Sequence, residues 1–216
     1  MKRSSTMSIL EEISGALQQG RAPKVKELVA QAIGEGLQPK AILEDGLIAG
    51  MTVIGEKFKI NEVFVPEVLI AARAMNAGIA ELKPHLSQDD MKAKGKIVIG
   101  TVKGDLHDIG KNLVKLMMEG RGLTVVDLGV DISAEEFVEA AVENEADIIC
   151  CSALLTTTMG EMQNVVELRN SKGLDGKVKI MIGGAPITQV YCDHIGADGY
   201  TADAASAADM ALAFCG

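Results

Sequence analysis

From Lys96 onward, five short apolar runs alternate with stretches of helical periodicity. Strands are predicted over Lys96–Val102, Thr124–Leu128, Asp147–Ala153, Val178–Ile182 and Gly199–Thr201. Helices are predicted over Ile109–Glu119, Ala134–Glu143, Thr158–Ser171, Ile187–Ile195 and Ala204–Phe214. Strict βα alternation points to a parallel sheet covered by helices on both faces. Ile148-Ile149-Cys150-Cys151 is continuously apolar, as a strand buried on both faces should be. In a flavodoxin-like order, 2-1-3-4-5, strands 1 and 3 flank the crevice where open α/β sheets take ligands.

The first part of the chain has no such alternation. Ile9, Leu10, Ile13 and Leu17 recur at helical spacing, as do Val25, Leu28, Val29, Ala32 and Ile33. A third helix is expected from Pro39 through Leu43, Leu47 and Met51 towards Phe58. A fourth starts near Pro66 and sets Val68, Leu69, Ala72, Met75 and Ile79 on one side. The polar stretch from Leu86 to Lys96 reads as a linker. The expected division is a helical bundle over residues 1–88 and an α/β domain over 89–216.

Composition narrows the function. A net charge of −9 argues against nucleic acid, whose phosphates demand clustered Lys and Arg. No apolar run approaches the ~20 residues of a membrane helix, and no signal-peptide pattern opens the chain, so a cytoplasmic protein is expected. The four cysteines form no CxxC pair, and Cys150 and Cys151 read as small core residues.

Three unusual turns follow three of the strands and therefore share one sheet edge. They are Gly104-Asp105-Leu106-His107-Asp108-Ile109-Gly110, then Ser152 through Met159, then Gly183-Gly184-Ala185-Pro186. An imidazole with an aspartate partner is a common way to fix a metal ligand in one tautomer. Adjacent glycines let a flat or elongated group lie on the backbone. Neither GxGxxG nor GxxxxGK[ST] occurs here, so nucleotide phosphates are not the expected ligand. The crevice suits a long ligand with a metal at the histidine end.

These blocks resemble the cobalamin-binding domains of methionine synthase and of the corrinoid methyl carriers. The shared signature is GDLHDIGKN at Gly104–Asn112, the serine-leucine-threonine block at Ser152, Leu154 and Thr156, and the pair Gly183-Gly184. Gly55–Phe58, Val63–Pro66 and Ala71–Met75 resemble the helical cap that precedes such domains. The stand-alone corrinoid proteins of microbial methyltransferase systems are the most similar.

The resemblance implies that His107 is the lower ligand of cobalt, replacing the cofactor's own benzimidazole, with Asp105 and Thr158 forming a relay behind it. It implies that Ser152 bonds the displaced nucleotide tail, which inserts beside Gly110, Leu154, Thr156, Gly183 and Gly184, with Ile109 a further cofactor-binding residue. Tyr200 and Asp203 would close the tail pocket, Asp108 is a cofactor-binding candidate that reads more readily as a helix-start residue, and Phe58, Val65 and Val68 would cover the upper corrin face. The implied function is a shuttle, binding cobalamin base-off/His-on. It would carry a methyl group from a substrate-specific methyltransferase to a second one acting on a thiol or tetrahydrofolate, with a reductive activator as a further partner.

Three rivals share some of these features. A cobalamin-dependent regulator or light sensor usually adds a basic DNA-binding segment, which this acidic chain does not have. An adenosylcobalamin mutase subunit would need a substrate barrel rather than a helical cap. A metal hydrolase using Asp105, His107 and Asp108 is poorly supplied, since the chain has three histidines and one in the crevice.

Overall fold

The computed structural model describes residues 2–87 and 94–216. The chain divides into two units, Met1–Lys92 and Ala93–Gly216. Most of the expected linker, at 88–93, lies outside the described residues. Among the described residues no helix is long and apolar enough to cross a membrane.

The first unit is helical: α1 (Lys2–Gln18), α2 (Ala22–Gly34), α3 (Pro39–Ala41), α4 (Ala49–Lys59) and α5 (Val65–Leu82). Pro23, Pro39 and Pro66 stand in first turns, where a missing N–H costs nothing. Ile13 and Leu17 of α1, and Val25, Val29 and Ala32 of α2, are fully buried.

The third expected helix is not regular. A π-helical segment, Ile42–Ile48, joins α3 to α4. Its wider turn buries Ile42, Gly46, Leu47 and Ile48 and leaves Leu43 only partly covered. Glycines allow this close packing: a Cβ on Gly50 would stand 3.1 Å from the backbone of Ser14 in α1. On α5 the buried stripe is Val68, Ala71, Ala72, Ala74, Met75, Gly78 and Leu82. Leu69 falls outside it and is 48% exposed, which corrects its expected inward position.

The second unit contains β1 (Lys96–Val102), α6 (Ile109–Gly120), β2 (Thr124–Ile132), α7 (Ala134–Glu143), β3 (Ile148–Ser152), α8 (Gly160–Ser171), β4 (Lys179–Gly183), α9 (Gln189–Ile195), β5 (Gly199–Tyr200) and α10 (Ala204–Cys215). The strands are parallel in the order β2-β1-β3-β4-β5. This is the flavodoxin-like order, with its switch point between β1 and β3. Val98, Ile149, Ile180 and Phe137 of α7 lie in one core cluster on this sheet. Cys150 and Cys151 of β3 are both buried, and burial pushes both thiols well above the ordinary cysteine range.

Two boundaries differ from expectation in ways that bear on the crevice. Strand β2 runs to Ile132 rather than Leu128, and it carries two extra residues relative to β1. Helix α8 begins at Gly160 rather than Thr158, which leaves Thr158 in the preceding turn.

Candidate functional site

In register across the sheet, Thr101 of β1 stands beside Ser152 of β3, and Ser152 beside Gly183 of β4. Beyond this row lie the three turns that the sequence singled out. The β1 turn opens at Gly104, whose φ of +80° is left-handed and favours a residue without a Cβ. The next residue, Asp105, is completely buried.

A buried carboxylate needs donors for both oxygens, and Asp105 has five. Its Oδ1 accepts the His107 backbone N–H at 3.0 Å and meets His107 Nδ1 at 2.7 Å. Its Oδ2 accepts the N–H groups of Leu154 and Leu155 at 2.8 and 3.1 Å and the Thr158 hydroxyl at 3.0 Å. Burial pushes this carboxyl up. The hydrogen bonds from the His107 ring and from the His107, Leu154 and Leu155 amides outweigh that, holding it well below the usual carboxylate range. Asp105 is therefore ionised at neutral pH, and the shared proton belongs to Nδ1.

That fixes which nitrogen of His107 faces Asp105. Its Nδ1 donates to Asp105, so Nε2 is the free nitrogen, on a side chain that is 52% exposed. The backbone is fixed as well: buried Thr101 donates its hydroxyl to the His107 carbonyl at 2.8 Å. The other histidines are remote in kind: His85 lies on the short helical turn Lys83–His85 and His194 in the last turn of α9, both exposed.

Apolar residues beside this imidazole in sequence and on the β3 turn that holds Asp105 remain open to solvent. Leu106 is 71% exposed, Ile109 78%, Leu154 43% and Leu155 40%. Nothing lies within 4 Å of where a Cβ would sit on Gly110 or Gly183, whereas a Cβ on Gly184 would collide with the Ala153 carbonyl. Gly184 has a φ of +137°, a conformation that glycine alone takes readily.

The remaining sequence candidates divide. Ser152 is half-buried, and exposed Thr156 lies in the same β3 turn as Thr158. Asp108 occupies the N-cap position of α6, and its carboxylate accepts from Asn112 at 3.1 Å. Asp203 caps α10, accepting from the Ser206 amide at 2.8 Å and its hydroxyl at 2.7 Å, so its structural work is explicit. Tyr200 is half-buried against the core cluster. In the helical unit Val68 is fully buried, while Phe58 and Val65 are half-buried.

Sequence reading missed two contributors, Thr101 and Leu155. Thr101 and Leu155 act at backbone level, one on a carbonyl and the other through its own N–H, and residue type does not announce such contacts.

The donor set fits a macrocyclic metal better than a bare ion. Among the described residues no three His, Cys, Asp or Glu side chains gather to hold a metal. A single outward Nε2 beside exposed leucine and isoleucine suits a metal whose other positions are already filled by a large, partly apolar ring. This also corrects the hydrolase alternative, since Asp105 is spent on His107 and the β3 turn.

Comparison with known proteins agrees. A B12 binding domain model matches residues 95–209, and a second B12 binding domain model matches residues 9–83. The chain is 43% identical over 208 residues to a corrinoid protein of Desulfitobacterium hafniense, covering 95% of this chain and 96% of that one. It is 44% identical over 204 residues to a dimethylamine corrinoid protein of Methanosarcina barkeri, covering 94% and 95%. It superposes with a TM-score of 0.87, at 32% identity, on a chain of the methanol:cobalamin methyltransferase complex MtaBC from Methanosarcina barkeri, covering 96% of this chain and 80% of that one.

Proposed function

Because the chain belongs to the B12-binding corrinoid protein family, with cobalamin or a related corrinoid as its cofactor, we propose that it carries a methyl group between two methyltransferases in the cytoplasm. The observation that carries this reading is the buried, ionised Asp105 locking His107 with Nε2 outward.

The corrinoid supplies a cobalt centre able to accept and release a methyl group. The protein's part is to bind, orient and tune. His107 would hold cobalt through Nε2 in place of the cofactor's own base. Asp105 fixes the tautomer, and its negative charge makes the imidazole a stronger donor. Thr158 and the Leu154 and Leu155 amides keep that charge in place without neutralising it. The open space at Gly110 and Gly183, with Ser152 and Thr156 on the neighbouring turn, would receive the nucleotide tail. Phe58 and Val65 would shield the reactive face; Val68, expected to join them, is fully buried and is a core residue instead.

Relatives named for dimethylamine and the structure named for methanol support a substrate-specific methyltransferase as donor partner. A second methyltransferase would pass the methyl to a thiol or to tetrahydrofolate, and a reductive activator would rescue oxidised cobalt. The chain itself would select no substrate.

The test is electron paramagnetic resonance of the cobalamin-loaded Co(II) protein with 15N-labelled histidine. Coupling to one protein nitrogen, lost in His107→Ala, is expected. A spectrum without protein nitrogen would overturn the base-off/His-on reading. Methylation of the reduced protein by methyl iodide, followed by demethylation with a thiol methyltransferase, tests carriage itself.

A further inference from the structure

We propose that Asp131, at the end of β2, is the residue that positions the Asp105–His107 pair, a role that rests on the reading of His107 as the cobalt ligand. The strand is irregular where it matters. Ile99 pairs with Asp127, but Gly100 pairs with Gly129 and Val102 with Ile132, so β2 carries one extra residue in each interval. Bulges bend a strand and re-aim its side chains, and they gather beside functional sites.

The consequence is a two-point clamp. The Asp131 carboxylate accepts the Gly104 N–H at 2.7 Å, and the Asp131 N–H donates to the Asp105 carbonyl at 3.1 Å. Both groups lie at the start of the turn that carries His107. Asp131 itself has a φ of +59°, a left-handed conformation that costs a residue with a side chain and persists only when its surroundings hold it. The upstream bulge is tied down in turn: Asp127 Oδ1 accepts the Gly129 N–H at 3.0 Å and buried Lys111 Nζ at 2.6 Å. Strand β2 thus reaches round to grip the turn from the side opposite β3. Asp105 is held from β3 through its side chain and from β2 through its backbone.

The test uses the full apo chain, with the tautomer and solvent exchange of His107 read by 15N-labelled histidine NMR. Asp131→Gly keeps the left-handed backbone and removes the acceptor. Asp131→Asn keeps both. Expected is at least a fivefold faster exchange of the His107 Nδ1 proton in Asp131→Gly, with Asp131→Asn near wild type. In the wild type the Gly104 amide should exchange at least tenfold slower than an open turn amide. The proposal is overturned if Asp131→Gly leaves His107 unchanged, if Asp131→Asn departs as far as Asp131→Gly, or if Gly104 exchanges freely. Because these readouts need no corrinoid, missing nitrogen coupling in the loaded wild type would defeat the ligand reading alone.

Discussion

One oxygen of Asp105, Oδ1, meets both the backbone N–H of His107 at 3.0 Å and its ring Nδ1 at 2.7 Å. The double contact divides the residue pair into an inner half that serves the fold and an outer half that the proposed cobalt ligation would use. Asp105 is fully buried and spends all its acceptor capacity on the protein. The His107 ring faces outward and leaves one nitrogen uncommitted. Under the proposed function, stability and ligation should therefore separate in mutants.

Asp105→Asn places an amide N–H₂ against donors, since every partner of Asp105 presents a proton. We expect a loss of about 2–3 kcal/mol of apo stability by urea denaturation at pH 7, the cost of unsatisfied buried donors. The sign with pH follows from the depressed carboxyl. Its contribution is complete above the unfolded aspartate value, about 3.9, and fades as pH falls from there towards the lower folded value. The gap between wild type and Asp105→Asn should shrink as the pH is lowered below 4.

His107→Ala should cost apo stability only about 1 kcal/mol or less, because water can replace a half-exposed ring at Asp105. The same variant should change the absorption spectrum of the cobalamin-loaded protein. A large stability loss with an unchanged spectrum would contradict the division.

Glycines give a second separation. Gly110→Ala in α6 meets open space, so apo stability should stay level or rise by up to about 0.5 kcal/mol. Its methyl group would occupy room assigned to the nucleotide tail, and cobalamin affinity should fall at least tenfold in equilibrium titration. Gly184→Ala drives a Cβ into the Ala153 carbonyl at a φ of +137° and should cost about 3 kcal/mol or more before any ligand is added.

How far the sequence was legible depended on which atoms did the work. Strand β1 and helix α7 match their expected ranges, since an apolar run and a helical periodicity leave plain marks. Asp105, His107 and Thr158 were legible as a group because all three act through side chains in recognisable blocks. Leu155 and the Thr101–His107 carbonyl bond were not, since backbone groups carry no residue signature. The β2 bulges were invisible for a related reason: a register shift depends on the partner strand. The π segment at Ile42–Ile48 escaped too, because its apolar residues also satisfy helical spacing.

Thr158 supplies the last test, because its hydroxyl has one proton and two acceptors in reach, Asp105 Oδ2 at 3.0 Å and the Leu155 carbonyl at 2.9 Å. Thr158→Val keeps the shape and removes that donor from a carboxylate, so it should cost about 1.5–3 kcal/mol. With one donor fewer, Asp105 binds a proton more readily, and its folded value moves back towards the ordinary range. The acid transition of the apo protein should therefore move to higher pH in Thr158→Val, while Thr158→Ser should follow the wild type. An acid transition unchanged by Thr158→Val would show that the two backbone amides of the β3 turn hold the Asp105 charge without the hydroxyl.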